Sequence, residues 1–224
     1  MKLIDQIISP IAPLLCLLCG KEGQLICAWC HEEALPDVPP RCINCSALSD
    51  QAKTCQTCKN AQQLPANVWV RADYDGTAKQ LISRLKFART YKAADVIADY
   101  LGEVIPYLEE GTVISYIPTA PKRYRQRGYD PAQLIAGSLA KKRKLHSQSL
   151  LYRLNNARQV GASRMLRKTQ LESAFSVKTN LSKKTPILLI DDIYTTGGTL
   201  SAATKVLKKT GYKNVSAAIF ARSV

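Results

Sequence analysis

Apolar and polar positions form two kinds of segment that alternate along most of the chain. Short apolar runs without polar alternation predict buried strands. These runs span residues 68–74, 112–117, 187–190 and 215–221, and a shorter one spans 174–177. Between them, apolar residues recur every three or four positions, which predicts amphipathic helices beginning near residues 77, 93, 131 and 200. Strands that alternate with helices predict an α/β fold, with a parallel sheet and helices on both faces.

The run at residues 187–190 leads into a stretch suited to binding an anion. Two acids follow it, and then comes a loop of small hydroxyl and glycine residues before the next predicted helix. Glycine permits close backbone approach, and a helix N-terminus offers unpaired N–H groups and a positive dipole. The loop consists of Thr195, Thr196, Gly197, Gly198 and Thr199.

The acid pair, Asp191 and Asp192, is unsuited to the phosphate itself because like charges repel. Carboxylates do accept hydrogen bonds from the hydroxyl groups of a sugar. An anion loop beside a diol acceptor therefore predicts a site for a ribose 5-phosphate.

The sequence ILLIDDIYTTGGT at residues 187–199 resembles the signature of the type I phosphoribosyltransferases, which bind phosphoribosyl pyrophosphate (PRPP). The resemblance implies that Asp191 and Asp192 hold the ribose hydroxyls, that residues 195–199 hold the 5-phosphate, and that magnesium accompanies PRPP. It also places a flexible lid near residues 155–171. The lid residues that could reach phosphates or a second substrate are Arg158, Gln159, Arg164 and Arg167.

A compact basic loop is predicted at residues 119–129, after the strand at 112–117. In a parallel sheet this position lies at the carboxyl edge, where ligands bind. By the same resemblance this is the pyrophosphate loop, with Thr119, Lys122 and Arg123 as its candidate residues. The alternative is an ordinary basic surface loop.

All eight cysteines lie in four CxxC pairs within residues 16–58. Each pair fits a turn that presents two thiolates to one tetrahedral zinc ion, so we expect two structural zinc sites. So many pairs make redox use of each improbable, and without a secretory signal a disulfide framework is disfavoured. Sequential and crossed pairing of the four turns both remain open. The ligands are Cys16, Cys19, Cys27, Cys30, Cys42, Cys45, Cys55 and Cys58.

We therefore expect two domains: a double zinc ribbon at residues 1–62 and a phosphoribosyltransferase-like domain at residues 63–224, joined by a linker at 61–65. The apolar N-terminus resembles a signal peptide, but Ser9, Pro10 and Pro13 interrupt it and no cleavage site follows. We predict a short helix there instead. No apolar run reaches transmembrane length, so a cytoplasmic location is expected.

Charge adds one further indication. The chain has 32 Lys and Arg against 17 Asp and Glu, a formal net charge of +15. This balance favours polyanionic partners such as nucleic acid or a phosphorylated ligand, although charge alone gives no specificity.

Nearly the whole chain resembles the ComF family of competence proteins, which join a cysteine-rich zinc segment to a phosphoribosyltransferase domain. Besides the cysteine pairs and ILLIDDIYTTGGT, the match rests on YDGTAKQLISRLKF, IPTAPKRYRQRGYDPAQ and ARQVGASRMLRKTQLESAF. Two departures are visible: the family pattern has Asn at Asp130, and a Gly-Leu-Ser step at residues 161–163.

The family resemblance implies a role in natural transformation, in which incoming single-stranded DNA is handled in the cytoplasm beside a helicase-like motor. Tyr124 and Tyr129 are candidate stacking residues for that DNA. An active phosphoribosyltransferase, which releases pyrophosphate from PRPP, is the alternative. A third possibility is a scaffold without catalysis, which makes protein contacts through the zinc segment.

Overall fold

A five-stranded sheet is the centre of the computed structural model, which describes residues 13–154 and 174–223. Its strands are β1 (Val68–Asp73), β2 (Val113–Tyr116), β3 (His146–Ser147), β6 (Ile187–Tyr194) and β7 (Val215–Arg222). They are all parallel and lie in the order β1-β7-β6-β2-β3. A separate antiparallel pair consists of β4 (Leu151–Arg153) and β5 (Phe175–Val177). The predicted parallel α/β sheet is confirmed.

Helices connect most of these strands. The α-helices in the described part of the chain are α1 (His31–Ala34), α2 (Gln56–Gln62), α3 (Gly76–Lys86), α4 (Lys92–Val104), α5 (Pro121–Arg127), α6 (Pro131–Arg143) and α7 (Gly198–Lys209). Short 3-10 turns lie at Ala28–Cys30 and Asp50–Ala52. Within these same residues, no helix is both long and apolar enough to cross a bilayer.

The sheet separates two apolar cores. On one face, β6 contributes Leu188 and Ile190 to a core that it shares with α3, α4 and α6. On the other face, Ile187 and Leu189 pack with α7 and the β4–β5 pair. Because side chains alternate along a strand, a strand buried on both faces must be apolar at nearly every position. This explains the uninterrupted apolar run that begins β6.

Several predicted boundaries were wrong. The predicted basic loop after β2 contains a helix, α5, because Pro121 suits a first helical turn and the residues after it are good helix formers. Helix α4 begins near the predicted position and ends at Val104, two residues before Pro106. Helix α3 begins at Gly76, one residue before the predicted start. The predicted linker starts within α2, which runs to Gln62. The short helix predicted at the N-terminus lies outside the described residues.

The cysteine-rich segment pairs through Lys53 with Asn67, directly before β1, and reaches both cores. Its first half contributes Leu25, Ile26 and Leu35 to the core with α4, whereas Ile43 of its second half belongs to the core with α7. The segment thus extends both cores.

Arg71 of β1 joins the cysteine-rich segment to the sheet. Its side chain is only 5% exposed, and it donates hydrogen bonds to the carbonyls of Leu35 (3.0 Å) and Pro36 (3.1 Å). Its Nε also donates to Glu103 of α4 at 3.2 Å. A buried guanidinium requires such partners, so this contact fixes the two regions relative to each other.

Candidate functional site

The eight cysteines form two groups of four, in chain order. Cys16, Cys19, Cys27 and Cys30 make the first group, and Cys42, Cys45, Cys55 and Cys58 make the second. Within each group all sulfur atoms lie within 4.8 Å of one another. The structure therefore selects sequential pairing over the crossed alternative.

The spacing of the thiols fits zinc. Bonds of about 2.3 Å from zinc to four tetrahedral sulfurs place neighbouring sulfurs roughly 3.8 Å apart. Cys19 and Cys27 have their sulfurs 3.6 Å apart, and Cys45 and Cys55 have theirs 3.7 Å apart. Each group could thus hold one zinc ion with four thiolates and no open position, which is the arrangement of a structural site.

Backbone N–H groups favour ionisation of two thiols in the first group, Cys16 and Cys27, and of one in the second, Cys42. Although burial opposes it, the N–H groups of Cys19, Cys27 and Leu18 lower the pKa of the Cys16 thiol to about 6. Cys42 has the same arrangement, and its pKa is also lowered to about 6. Metal ions bind the thiolate form, which these N–H groups stabilise at Cys16 and Cys42, whereas the neighbouring thiols raise the pKa of Cys30 to about 12.

His31 lies beside the first group but has another role. Its ring stacks on Tyr100 with centroids 4.5 Å apart, and its Nε2 is 3.3 Å from a Glu103 carboxylate oxygen. The Tyr100 hydroxyl donates to the His31 carbonyl at 2.9 Å. His31 is therefore part of the contact with α4.

A second candidate site lies at the carboxyl edge of the sheet. Strand β6 continues to Tyr194 because β7 pairs with it that far, whereas β2 stops level with Ile190. Asp191 and Asp192 lie in this last part of β6, rather than after the strand as predicted. The acid pair consequently lies beyond the end of β2, at the edge where parallel α/β sheets bind ligands.

The two acids have different surroundings. Asp192 is buried and pairs with Lys86, the last residue of α3, with Nζ 2.9 Å from Oδ2. Asp191 is half-buried, and its Oδ1 accepts a hydrogen bond from the Asp192 backbone N–H at 2.9 Å. Burial, and then the neighbouring charge of Asp192, raise the pKa of Asp191 well above its usual range. Adjacent acids at such a position are typical of a functional site.

The bend between β6 and α7 requires glycine at residue 197. Gly197 has a φ of +74°, and a side chain there would collide with the Tyr194 hydroxyl. Thr195 and Thr196 are exposed on this bend, and Gly198 and Thr199 form the start of the 12-residue helix α7. All five residues of the predicted phosphate loop thus lie together, next to the acids and at a helix N-terminus.

The predicted pyrophosphate residues share this edge through Asp130. The carboxylate of Asp130 accepts hydrogen bonds from the Thr119 N–H at 2.6 Å and the Ala132 N–H at 3.1 Å. Burial raises its pKa, and the charge of Asp192 contributes to the same shift. Lys122 and Arg123 are exposed on the first turns of α5. Both Asp130 oxygens act as acceptors here, which the amide of Asn could not reproduce.

Two features of this edge did not follow from the sequence. No spacing rule links Lys86 to Asp192, which follows it more than a hundred residues later. The bond from Thr119 to Asp130 joins the two ends of the segment before α6 and depends on tertiary structure. The predicted lid residues Arg158, Gln159, Arg164 and Arg167 lie outside the described residues.

Known proteins similar to this chain were found among competence proteins, while no protein-family model matches it. The chain is 27% identical over 225 residues to Competence protein ComFC of Streptococcus pneumoniae (strain ATCC BAA-255 / R6), covering 89% of this chain and 96% of the relative. It is 26% identical over 224 residues to Competence protein ComFC of Bacillus subtilis (strain 168), covering 90% and 91%. With Competence protein F of Haemophilus influenzae (strain ATCC 51907 / DSM 11121 / KW20 / Rd), the identity is 25% over 201 residues, covering 85% and 87%.

Proposed function

We propose that this chain, a ComF-family protein by its similarity to these relatives and its two four-cysteine groups, has a role in competence. In this role it binds PRPP, or the 5-phosphate of a nucleotide, at the carboxyl edge of the sheet and handles incoming single-stranded DNA in the cytoplasm. One observation carries the ligand assignment: the acid pair and the glycine bend lie on the same strand end, directly before a helix N-terminus.

The acid pair supplies acceptors for the ribose hydroxyls. The present partner of Asp192 is the Lys86 ammonium, so a ligand that takes this carboxylate must exchange with Lys86 or bind beside it. A magnesium ion that accompanies PRPP would find oxygen ligands among these carboxylates and the phosphates, and it would neutralise part of the phosphate charge.

The 5-phosphate is assigned to the bend at residues 195–199. The first N–H groups of α7 point away from the helix, and the N-cap residue Gly197 has no side chain with which to cover them. A phosphate at this position gains both these donors and the helix dipole. The hydroxyl groups of Thr195 and Thr196 add further donors.

The pyrophosphate is assigned to the segment around Thr119 and the start of α5. Lys122 and Arg123 are exposed there, and Asp130 holds the Thr119 backbone in place. In this arrangement Asp191 and Asp192 would hold the ribose hydroxyls, and Lys122 and Arg123 would hold the pyrophosphate. One site would thus bind both ends of PRPP.

The DNA assignment rests on charge and on the relatives. Residues 63–224 contain 27 Lys and Arg and only 11 Asp and Glu, so the transferase-like region carries the basic excess. Such a field attracts phosphate backbones without regard to sequence. The ComF resemblance adds a helicase-like DNA-uptake motor as a proposed partner.

Calorimetry of PRPP binding with magnesium tests the ligand assignment. We expect the double variant Asp191→Ala and Asp192→Ala to lose at least about tenfold in affinity, because two charged hydrogen-bond acceptors are removed. The matched control is Asp99→Ala, an exposed acid of α4 that pairs with Lys142 instead. Unchanged affinity in a folded double variant would refute the site.

The same titrations with pyrophosphate and with ribose 5-phosphate separate the two halves of the site. Removing the charges of Lys122 and Arg123 should weaken pyrophosphate more than ribose 5-phosphate. Equal losses would indicate a general field effect. Release of pyrophosphate from PRPP in the presence of nitrogenous bases would identify the alternative function, phosphoribosyl transfer.

A further inference from the structure

An exposed aromatic group lies next to the sheet-edge site. Phe87 directly follows Lys86, which pairs with Asp192, and its side chain is 75% exposed. An aromatic ring so exposed, beside a candidate ligand site, is unusual for a residue that serves the core. We call Phe87, Tyr91 and Arg127 the aromatic platform.

Hydrogen bonds and ring contacts hold the platform in place. Arg127 Nε donates to the Lys86 carbonyl at 2.9 Å, and its guanidinium lies 5.9 Å from the Phe87 ring centre and 6.0 Å from that of Tyr129. Tyr129 donates its hydroxyl to the Leu85 carbonyl and meets Tyr91 edge-on at 4.9 Å. The flat groups are therefore ordered before any ligand binds, which reduces the entropy lost on binding.

These contacts also change which tyrosines can stack on a ligand. Tyr129 is half-buried and its hydroxyl is engaged, so it supports the platform from beneath. Tyr91 remains 39% exposed and Tyr124, on α5, remains 47% exposed. Phe87 is thus the most accessible ring of this edge.

The two chain segments that carry the platform are basic. Residues 84–92 and 119–129 each contain four Lys or Arg and no Asp or Glu. Two other exposed rings among the described residues lie near acids instead: Trp29 is near Glu32 and Glu33 in the sequence, and Tyr107 is near Glu109 and Glu110. Only a polyanion with flat faces matches both the rings and the charge of the platform.

We infer that the aromatic platform is a docking surface for single-stranded nucleic acid, with an unpaired base stacked on Phe87 and neighbouring phosphates held by the cations of residues 84–92 and α5. Bases within a duplex are already stacked, so an exposed ring favours the single-stranded form. The inference deepens the proposed function and rests on its single-stranded DNA component. It assigns the stacking role to Phe87 rather than to Tyr129.

Fluorescence anisotropy with the full chain tests the inference. The probes are two fluorescent strands of 12 nucleotides, oligo-dT and an abasic strand with the same number of phosphates. One stacked base should make oligo-dT bind about fivefold more tightly than the abasic strand. Phe87→Leu should remove most of this preference without changing the salt dependence. Tyr107→Leu, which removes an 88% exposed ring beside acids, should preserve it.

A charge variant distinguishes stacking from phosphate contacts. Arg125→Gln should weaken both strands equally and reduce the slope of affinity against salt by about one.

The outcomes separate the two claims. If neither strand binds the wild type at 50 mM salt, the proposed DNA function fails, and the inference fails with it. If both strands bind equally well, or if Phe87→Leu keeps the full preference for oligo-dT, only the platform is overturned. An equal loss of preference in Tyr107→Leu would also overturn it.

Discussion

Residues 1–62 and residues 63–224 differ in charge and in what holds them together. The first contains five Lys and Arg against six Asp and Glu, whereas the second contains 27 against 11. The first relies on two groups of four thiols, while the second has buried strands and helices. Roughly sixty residues bury too little apolar surface to fold stably alone. We therefore expect zinc bound by the two thiol groups to supply part of the stability of this segment.

The basic charge is therefore a property of residues 63–224, which contain the sheet-edge site, and not of the cysteine-rich segment. Phosphate ligands are therefore expected at the sheet edge, away from the thiol groups. The cysteine-rich segment is nevertheless packed against the rest of the molecule. It contributes side chains to both cores, so its loss should destabilise the sheet as well.

Removal of zinc should have the largest effect on this comparison. Structural zinc contributes on the order of 10 kcal/mol to folding in small domains. Chelation should unfold the cysteine-rich segment and also lower the melting temperature of the remaining region, because both cores lose part of their cover. Metal analysis, circular dichroism and hydrogen exchange measure this, and restored zinc is the control. An unchanged melting curve after verified metal removal would contradict it.

Replacement of Arg71 should have the next largest effect. Arg71→Met keeps the apolar stem but leaves Glu103 and the carbonyls of Leu35 and Pro36 without their donor. We expect a loss of about 2 to 4 kcal/mol in the free energy of unfolding.

The control for Arg71 is Arg41→Met. Arg41 donates to the Ser46 carbonyl within its own turn, and we expect a loss below about 1 kcal/mol. Denaturant unfolding measures both variants. Equal losses would show that the two regions are not joined through Arg71.

Strands and thiol groups could be predicted from the sequence where a local pattern determines them. Uninterrupted apolar runs identified β1, β2, β6 and β7, and CxxC spacing identified the thiol groups. The acids and the glycine bend were recognisable because they are contiguous in the chain. The Lys86–Asp192 pair, the Arg71 anchor and the platform join residues far apart in sequence, and no local pattern encodes such contacts.

Asp191→Asn should have the smallest effect on the free energy of unfolding, and it should raise this free energy rather than lower it. Because burial raises the pKa of Asp191 in the folded protein, the folded state binds this proton more tightly than the unfolded state, whose pKa is near 3.8. The carboxyl group therefore makes the protein less stable as pH rises above that value toward its folded pKa. Asn does not titrate, so the variant should exceed the wild type by about 1 kcal/mol at neutral pH, with a smaller difference at pH 5.5.

The variant should at the same time bind PRPP more weakly, which is the trade expected of a residue retained for a ligand and not for the fold. Asp99→Asn removes the same charge from an exposed position of α4 and controls for a general charge effect. Urea unfolding at several pH values, with zinc present throughout, measures the difference. A loss of stability on replacing Asp191 would show that this carboxylate, like Arg71, stabilises the fold. It would then no longer distinguish the ligand site from the contacts that join the cysteine-rich segment to the sheet.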